Sequence, residues 1–475
     1  MSTISDLLDK NHNHQSIFKT AGELGDSLGV STFLVGGYIR DLLMHKTAND
    51  IDIVVENDGI KFAEKLAKKL NAKGFVAFEK FGTAQLTFDE YKLEVTTARQ
   101  EIYSKNSRKP KVTFTDINQD LSRRDFTVNA IAVSIMPDSY GEIYDPFGGI
   151  KDINKKLLIT PLEPDKTFID DPLRMLRAIR FAAQLNFSID VKVLDSIAKQ
   201  SHRLDIISNE RITEELIKLL STDKPSIGFY LMKDAGLLKF VFPEMLDMPG
   251  VEKINGMGHK DVFIHTLQVI DNSAKLTNKT EIRFAALVHD IAKPVTKRFN
   301  KHKGWTYHGH EEIGRRMLSN VAKRMKLPND LKIYLQTLTK LHLRPIALAK
   351  KEITDSAVRR LIFEAGEFIE DLMILCRADI TTKNPRKVQK YLNNFEKVEE
   401  LIKDVKLKDE MKKFQSPVRG EIIMKDLGLT PGPEVGQIKR AIEEAILDGI
   451  IPNEYEPAYD FMLEIKDKIL KNEKN

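Results

Sequence analysis

Cysteine is almost absent: the 475 residues contain only Cys376. A single thiol cannot form an internal disulfide, so the fold does not depend on an oxidising compartment. Long apolar runs are missing too, and no stretch reaches the ~18 uninterrupted apolar residues of a spanning helix. Met1 to Gln15 is polar and lacks the apolar segment of a secretory signal. These absences predict a cytoplasmic protein with no membrane partner. Nor does one sign of charge dominate, since 74 Lys and Arg stand against 69 Asp and Glu for a net +5. Any nucleic-acid footprint must therefore be local. Histidine is scarce, with 11 residues, so a cluster of it carries information. Internal repeats are not evident.

A length of 475 residues suits about three packed domains. Strand-like runs at 33–35, 51–55, 75–78, 84–88, 92–97 and 128–135 surround one helix candidate, Gly59 to Leu70. Beyond Ile159 the strand signals fade, and the pattern is helical to the C-terminus. The expected fold class is α+β: a mixed head followed by a long helical body.

Phe33-Leu-Val-Gly-Gly-Tyr-Ile-Arg-Asp41 reads as a short buried strand, a tight turn at Gly36-Gly37 and a helix start. Amides after two glycines approach a polyphosphate closely. In Asn49-Asp-Ile-Asp-Ile-Val-Val55, Asp50 and Asp52 share one face of a strand. Paired carboxylates repel, and a bound cation neutralises them, although a D-x-D pair is also found on solvated strand faces. Glu94, in Lys92-Leu-Glu-Val-Thr96, is the candidate third carboxylate on a neighbouring strand. An ordinary exposed glutamate gives the same pattern. Phosphate turn plus acidic pair points to metal-dependent phosphoryl or nucleotidyl transfer.

Residues 99–124 are polar and basic and read as a loop able to close over a polyanion. In Arg123-Arg-Asp-Phe-Thr-Val-Asn-Ala130, arginine forks suit triphosphate oxygens and Asn129 suits a ribose hydroxyl. Asp170-Asp-Pro-Leu-Arg-Met-Leu-Arg-Ala-Ile-Arg180 reads as a helix with Asp170 as its N-cap. Asp171, Arg174 and Arg177 line its flank. A carboxylate that accepts from an amino group, beside a guanidinium that donates to a ring nitrogen or carbonyl, selects cytosine and adenine over uracil and guanine. A surface ion pair of small worth is the bland alternative.

These motifs, with Ser208-Asn-Glu-Arg-Ile212, resemble the class II tRNA nucleotidyltransferases (CCA-adding enzymes) and bacterial poly(A) polymerases over residues 30–220. The resemblance implies a polymerase-beta-like head at 1–150, a helical neck at 151–250, a body at 251–382 and a tail at 383–475. It implies that Asp50 and Asp52 hold two Mg²⁺ and that Asp171 and Arg174 read the incoming base. Gly37, Arg40, Arg123, Asp125, Arg177 and Arg180 match nucleotide-contacting positions or their surroundings. Asp170 departs from the family's usual glutamate.

A separate signal lies in the body. His265, His289, Asp290 and Asp379, with His308 and His310 as further candidates, look like an HD-type site for a divalent transition metal. Such ligands suit phosphoester hydrolysis, and some family members fuse a domain of this kind. From Lys383 to Arg419 eleven Lys and Arg face six Asp and Glu, which suits contact with an RNA backbone as well as it suits a solvated face. The expected activity is addition of CCA to the tRNA 3′ end from CTP and ATP, with tRNA rather than DNA as partner. A poly(A) polymerase, a partial CC- or A-adding enzyme, and a non-catalytic nucleotide-sensing head that regulates the HD site are the alternatives.

Overall fold

The computed structural model describes residues 4–9, 12–47, 50–88, 91–104, 107–254, 257–348, 355–413, 416–447 and 450–471. The side chains of residues 100–112 lie outside the description, and with them Lys105, Arg108, Lys109 and Lys111 of the basic stretch. The chain divides into two compact units, Met1–Leu343 with Glu370–Lys383, and Arg344–Ile369 with Asn384–Asn475.

The first unit begins with the mixed head and continues into helices, as the hydrophobic periods predict. Its strands are β1 (Thr32–Val35), β2 (Asp50–Val55), β3 (Gly74–Phe78), β4 (Thr83–Thr87), β5 (Lys92–Thr97), β6 (Arg99–Ser104), β7 (Ser107–Phe114), β8 (Ala132–Ser134) and β9 (Ile143–Tyr144). Seven of them form one sheet in the order β3-β4-β5-β2-β1-β8-β9, and β6 pairs with β7 as a separate hairpin. Within the sheet β2 and β5 run parallel, while their outer neighbours pair antiparallel. Phe33, Val35, Val54, Ala98, Ala130 and Ala132 form one core cluster of the head.

The helix His12–Leu28 approaches very closely at Gly22, where a Cβ would lie 1.8 Å from the Ile135 carbonyl oxygen. The helix Gly59–Lys69 starts from an Asp58 cap and buries Phe62, Ala63 and Leu66. Its ~3.6-residue apolar period is what makes that stripe continuous.

Three local expectations are corrected. The run 128–135 is a strand only at Ala132–Ser134, because Thr127–Asn129 forms a 3₁₀ turn. Thr127 Oγ1 donates to Asp152 and Asn129 Nδ2 donates to Asp125, and these side-chain bonds curl the backbone out of the ladder. The basic stretch is not a loop but the β6–β7 hairpin and a short helix, Ile117–Ser122, capped by Asp116. Asp170 does not cap the helix that carries Arg174 and Arg177. It ends the preceding helix, Pro164–Asp170, and the next helix begins only at Leu173. Asp171 supplies the local bond instead, its Oδ1 accepting from the Leu173 N–H at 3.1 Å.

The helix Leu173–Leu185 is buried on nearly every side, including Arg174 and Arg180. The second unit has a 29-residue helix, Pro385–Lys413, and a cluster of three shorter helices around Ile423, Ile438, Ile442, Ala458 and Met462. Among the described residues no helix is long and apolar enough to cross a membrane.

Gly22→Ala forces the His12–Leu28 helix off the Ile135 carbonyl. We expect a loss of about 1–3 kcal/mol in unfolding free energy, the usual scale of overpacking. Urea denaturation followed by circular dichroism measures it, and an unchanged midpoint contradicts the close approach.

Candidate active site

Strand alternation puts Asp50 and Asp52 on one face of β2 and buries Ile51 and Ile53 on the other. In the parallel pairing Asp52 is the register partner of Glu94. Neighbouring strands lie about 4.8 Å apart, so the two carboxylates stand side by side. Asp50, Asp52 and Glu94 line one wall of a cleft of ≈ 1550 Å³. Burial pushes the Asp52 carboxyl up to about 6, with the Glu94 and Asp50 charges adding to the effect and Arg124 opposing it. Three carboxylates lining one cleft are a suitable donor set for divalent cations.

The turn at Gly36 completes that wall. Gly36 has φ +72°, and a Cβ there would lie 2.9 Å from Arg124 Nη1 and 3.6 Å from Asp52 Oδ2. The positive φ is what favours glycine there. Gly37 opens the helix Gly37–Leu43. Arg124 was not singled out from the sequence, although the Arg123-Arg124 doublet was visible. Buried Asp120 holds both of them, with Arg123 Nη2 at 2.5 Å and Arg124 Nη2 at 3.1 Å.

A chain of charged hydrogen bonds also lines the cleft. Arg40 Nη1 donates to Asn129 Oδ1 at 2.7 Å, and Asn129 Nδ2 donates to Asp125 Oδ1 at 3.0 Å. Arg177 Nε donates to Asp125 Oδ2 at 2.8 Å. Arg180 Nε donates to Glu215 Oε2 at 2.7 Å, and its guanidinium lies 4.0 Å from the centroid of the Phe181 ring. Burial alone would raise the Asp125 carboxyl, but the Arg177 charge and the bonds from Asn129 and Arg177 bring it down to about 2. Asn129 thus positions Arg40 and Asp125 while lining the cleft.

Asp171 and Arg174 also line the cleft. Arg174 Nη2 donates to the Arg123 carbonyl at 2.6 Å, which fixes its guanidinium. Asp171 Oδ2 accepts from Arg211 Nη2 at 3.1 Å. Arg211, from the Ser208-Asn-Glu-Arg motif, and Glu215, one helical turn further on, were not assigned roles from the sequence. Nothing in their local pattern marks them apart from ordinary helix-surface charges.

A second cluster lies in the helical part of the same unit. His265 Nε2 is 3.1 Å from Asp379 Oδ1 and 3.3 Å from Asp290 Oδ2, and His289 Nε2 is 3.2 Å from Asp290 Oδ2. His310 Nε2 lies 3.4 Å and His342 Nε2 3.7 Å from Asp290 Oδ1. His310 therefore joins the group, whereas His308 is exposed and outside it. Position 308 precedes the helix His310–Met325, so its side chain is not carried inward by that helix. His342 had not been anticipated, although a histidine at a helix end in a His-poor chain was a usable signal. Burial holds its imidazole down to about 4.

Three protein-family profiles match the chain: Poly A polymerase head domain over residues 32–159, Probable RNA and SrmB-binding site of polymerase A over 186–248, and HD domain over 262–384. The chain is 34% identical over 305 residues to the Multifunctional CCA protein of Psychromonas ingrahamii, covering 63% of this chain and 71% of the relative. It is 29% identical over 442 residues to the CC-adding tRNA nucleotidyltransferase of Thermus thermophilus, covering 91% and 93%. The Thermotoga maritima CCA-adding enzyme, solved in complex with tRNA, has the same fold at a TM-score of 0.58 and 21% identity, covering 98% of this chain and 99% of that one.

The elevated Asp52 value has a measurable consequence. Its folded pKa of about 6 lies above the ordinary 3.8, so ionised Asp52 destabilises the metal-free fold, and the penalty grows as pH rises from about 4 to 6. Asp52→Asn removes it. We expect the variant to melt above wild type at pH 7.5 in EDTA, with the difference vanishing near pH 3.5. Coincident melting curves at pH 7.5 contradict the strained carboxylate.

Proposed function

We propose, from the premise that the chain belongs to the tRNA nucleotidyltransferase and poly(A) polymerase family, that it adds CCA to the 3′ end of tRNA from CTP and ATP. The observation that carries this reading is that the in-register Asp52 and Glu94 pair lines the same cleft as Asp171 and Arg174. The first pair is chemically suited to activating a hydroxyl, the second to choosing a base.

Asp50, Asp52 and Glu94 would hold Mg²⁺, which would supply a lower pKa for the RNA 3′-hydroxyl and positive charge for the triphosphate and leaving pyrophosphate. The Gly36-Gly37 turn admits the triphosphate close to the backbone. Arg40, Arg123, Arg177 and Arg180 surround the nucleotide with guanidinium groups already fixed by Asn129, Asp125, Asp120 and Glu215. Asp171 accepts from the amino group of cytosine or adenine and Arg174 donates to the adjacent ring acceptor, so selection needs no nucleic-acid template. Head 1–150, neck 151–250, body 251–382 and tail 383–475 divide the work, and the basic tail helices contact tRNA in the cytoplasm. An intact acidic set argues against a head that only senses nucleotide.

The histidine cluster supports a second activity. Four imidazoles and two carboxylates converge in a buried space, a donor set for a divalent transition metal. We assign phosphoester hydrolysis to it, separate from nucleotidyl transfer.

Pure protein incubated with tRNA lacking its 3′ end, Mg²⁺ and each labelled nucleotide tests the main reading. Three added nucleotides ending in A support it. Extension stopping after CC moves the assignment to the activity named for the Thermus relative, a long A tail moves it to poly(A) polymerase, and no incorporation overturns it. Asp52→Ala is expected to abolish incorporation and to leave any phosphatase activity. Asp171→Ala or Arg174→Ala is expected to erode discrimination against UTP and GTP by about 1–3 kcal/mol, roughly tenfold to hundredfold. Unchanged misincorporation would refute their base-reading role.

A further inference from the structure

Joining a nucleotide to an RNA end brings two bases into one cleft, that of the incoming nucleotide and that of the RNA 3′ terminus. Asp171 and Arg174 account for the first. The second needs a different kind of contact, because the terminal base changes as addition proceeds and a fixed set of hydrogen bonds favours only one base. Stacking on an aromatic ring serves every base alike, since each has a π-face.

Among the described residues, three aromatic side chains line the cleft: Tyr38, Phe81 and Phe181. Tyr38 is 3% exposed and Phe181 6%, and the Arg180 guanidinium lies over the Phe181 ring. Phe81 is 51% exposed. It ends the 3₁₀ turn Glu79–Phe81 between β3 and β4, where Gly82 follows at φ +59°. Arg99 Nη1 donates to the Phe81 carbonyl and, at 3.4 Å, to Thr83 Oγ1. The turn is held through its backbone, and the ring stays open.

Sheet register continues this apolar surface on the carboxylate side. Thr83 is the partner of Thr96 on β5 and of Phe78 on β3, and Gln85 is the partner of Glu94 and of Val76. Paired residues share a face of a sheet, as do residues two apart along a strand. Phe78 and Val76 therefore lie on the face that carries Asp52 and Glu94, and there they are 47% and 50% exposed. Their strand ends the sheet order, three strand spacings or about 14 Å from β2. Contiguous exposed apolar surface of this kind marks an interaction site. Lys80, exposed beside Phe81 and lining the same cleft, and Arg99 add the positive charge that suits an RNA backbone.

We infer that Phe81 is a stacking platform for the 3′-terminal base of the RNA, and that Phe78 and Val76 extend it towards the preceding unpaired nucleotide. The inference rests on the proposed extension of an RNA end. A terminal base seated on Phe81 keeps its ribose in the cleft that Asp50, Asp52 and Glu94 line.

The test is steady-state extension of tRNA lacking its 3′ end by the full chain, with Mg²⁺ and CTP. Phe81→Leu, which keeps an apolar side chain without a ring, should raise KM for the tRNA roughly fivefold to 100-fold and leave KM for CTP unchanged. Phe81→Trp should restore the wild-type KM. The fluorescence of a 2-aminopurine base at the tRNA 3′ end should be quenched on binding to wild type and to Phe81→Trp, but not to Phe81→Leu. Equal tRNA KM and equal quenching in wild type and Phe81→Leu overturn the platform while the extension activity stands. No incorporation by wild type is a separate result, which overturns the proposed function and the platform with it. An unchanged KM in Phe81→Leu, together with a dimer that Phe78→Ser dissociates, also overturns the platform and identifies the strip as a contact between copies of the chain.

Discussion

The buried Asp125 carboxylate is the constraint around which the arginine network of the cleft is assembled. An ionised carboxylate removed from water costs several kcal/mol unless hydrogen bonds and opposite charge replace the lost hydration. Asp125 receives the Phe126 N–H at 2.9 Å, the Asn129 amide and the Arg177 guanidinium. Those partners reach in turn to Arg40 beside the glycine turn and to Glu215 on the helix Asn209–Leu220. One carboxylate thereby locks sheet, 3₁₀ turn and two helices into a single geometry. Arginines held in this way lose little side-chain entropy when a polyanion arrives, so the cleft is preorganised rather than assembled by its ligand.

The acidic set works by the opposite logic. There, like charges are brought together on adjacent strands, and the sheet's own packing keeps them together: Ile51, Ile53, Leu93 and Val95 are fully buried on the reverse side. Hydrophobic burial of those four side chains offsets the repulsion among Asp50, Asp52 and Glu94. A cleft lined by both acidic and basic side chains suits a metal-bound nucleoside triphosphate, which carries charges of both signs.

The histidine cluster applies the same principle with softer donors. Oxygen atoms alone make up the acidic set of the head, as hard divalent cations prefer. Nitrogen dominates the second site, and backbone carbonyls three residues before His289, His310 and His342 fix their tautomers. The two donor sets are thus suited to different ions within one unit of the chain, which allows one chemistry to be removed without the other.

Local periodicity is sufficient to recognise what a single element presents. A period of two puts Asp50 and Asp52 on one face, a neighbouring strand run marks Glu94, and an ordered set of His and Asp in a His-poor chain marks the second site. Family resemblance, carried by five ordered motifs, attaches nucleotide and base to those positions. Periodicity does not say which elements meet, because that depends on packing between residues far apart in the chain. For this reason Arg124 against Asp52, Arg211 against Asp171, Glu215 against Arg180 and His342 against Asp290 emerge only from the tertiary structure. The same reason explains Asp170, whose N-cap sequence is overridden when Asp171 turns to bond Leu173. Sequence by itself determined the kinds of donor available and the face each occupies. Tertiary packing decided which of them share a buried volume, where desolvation turns ordinary charges into strained carboxylates and preset arginines.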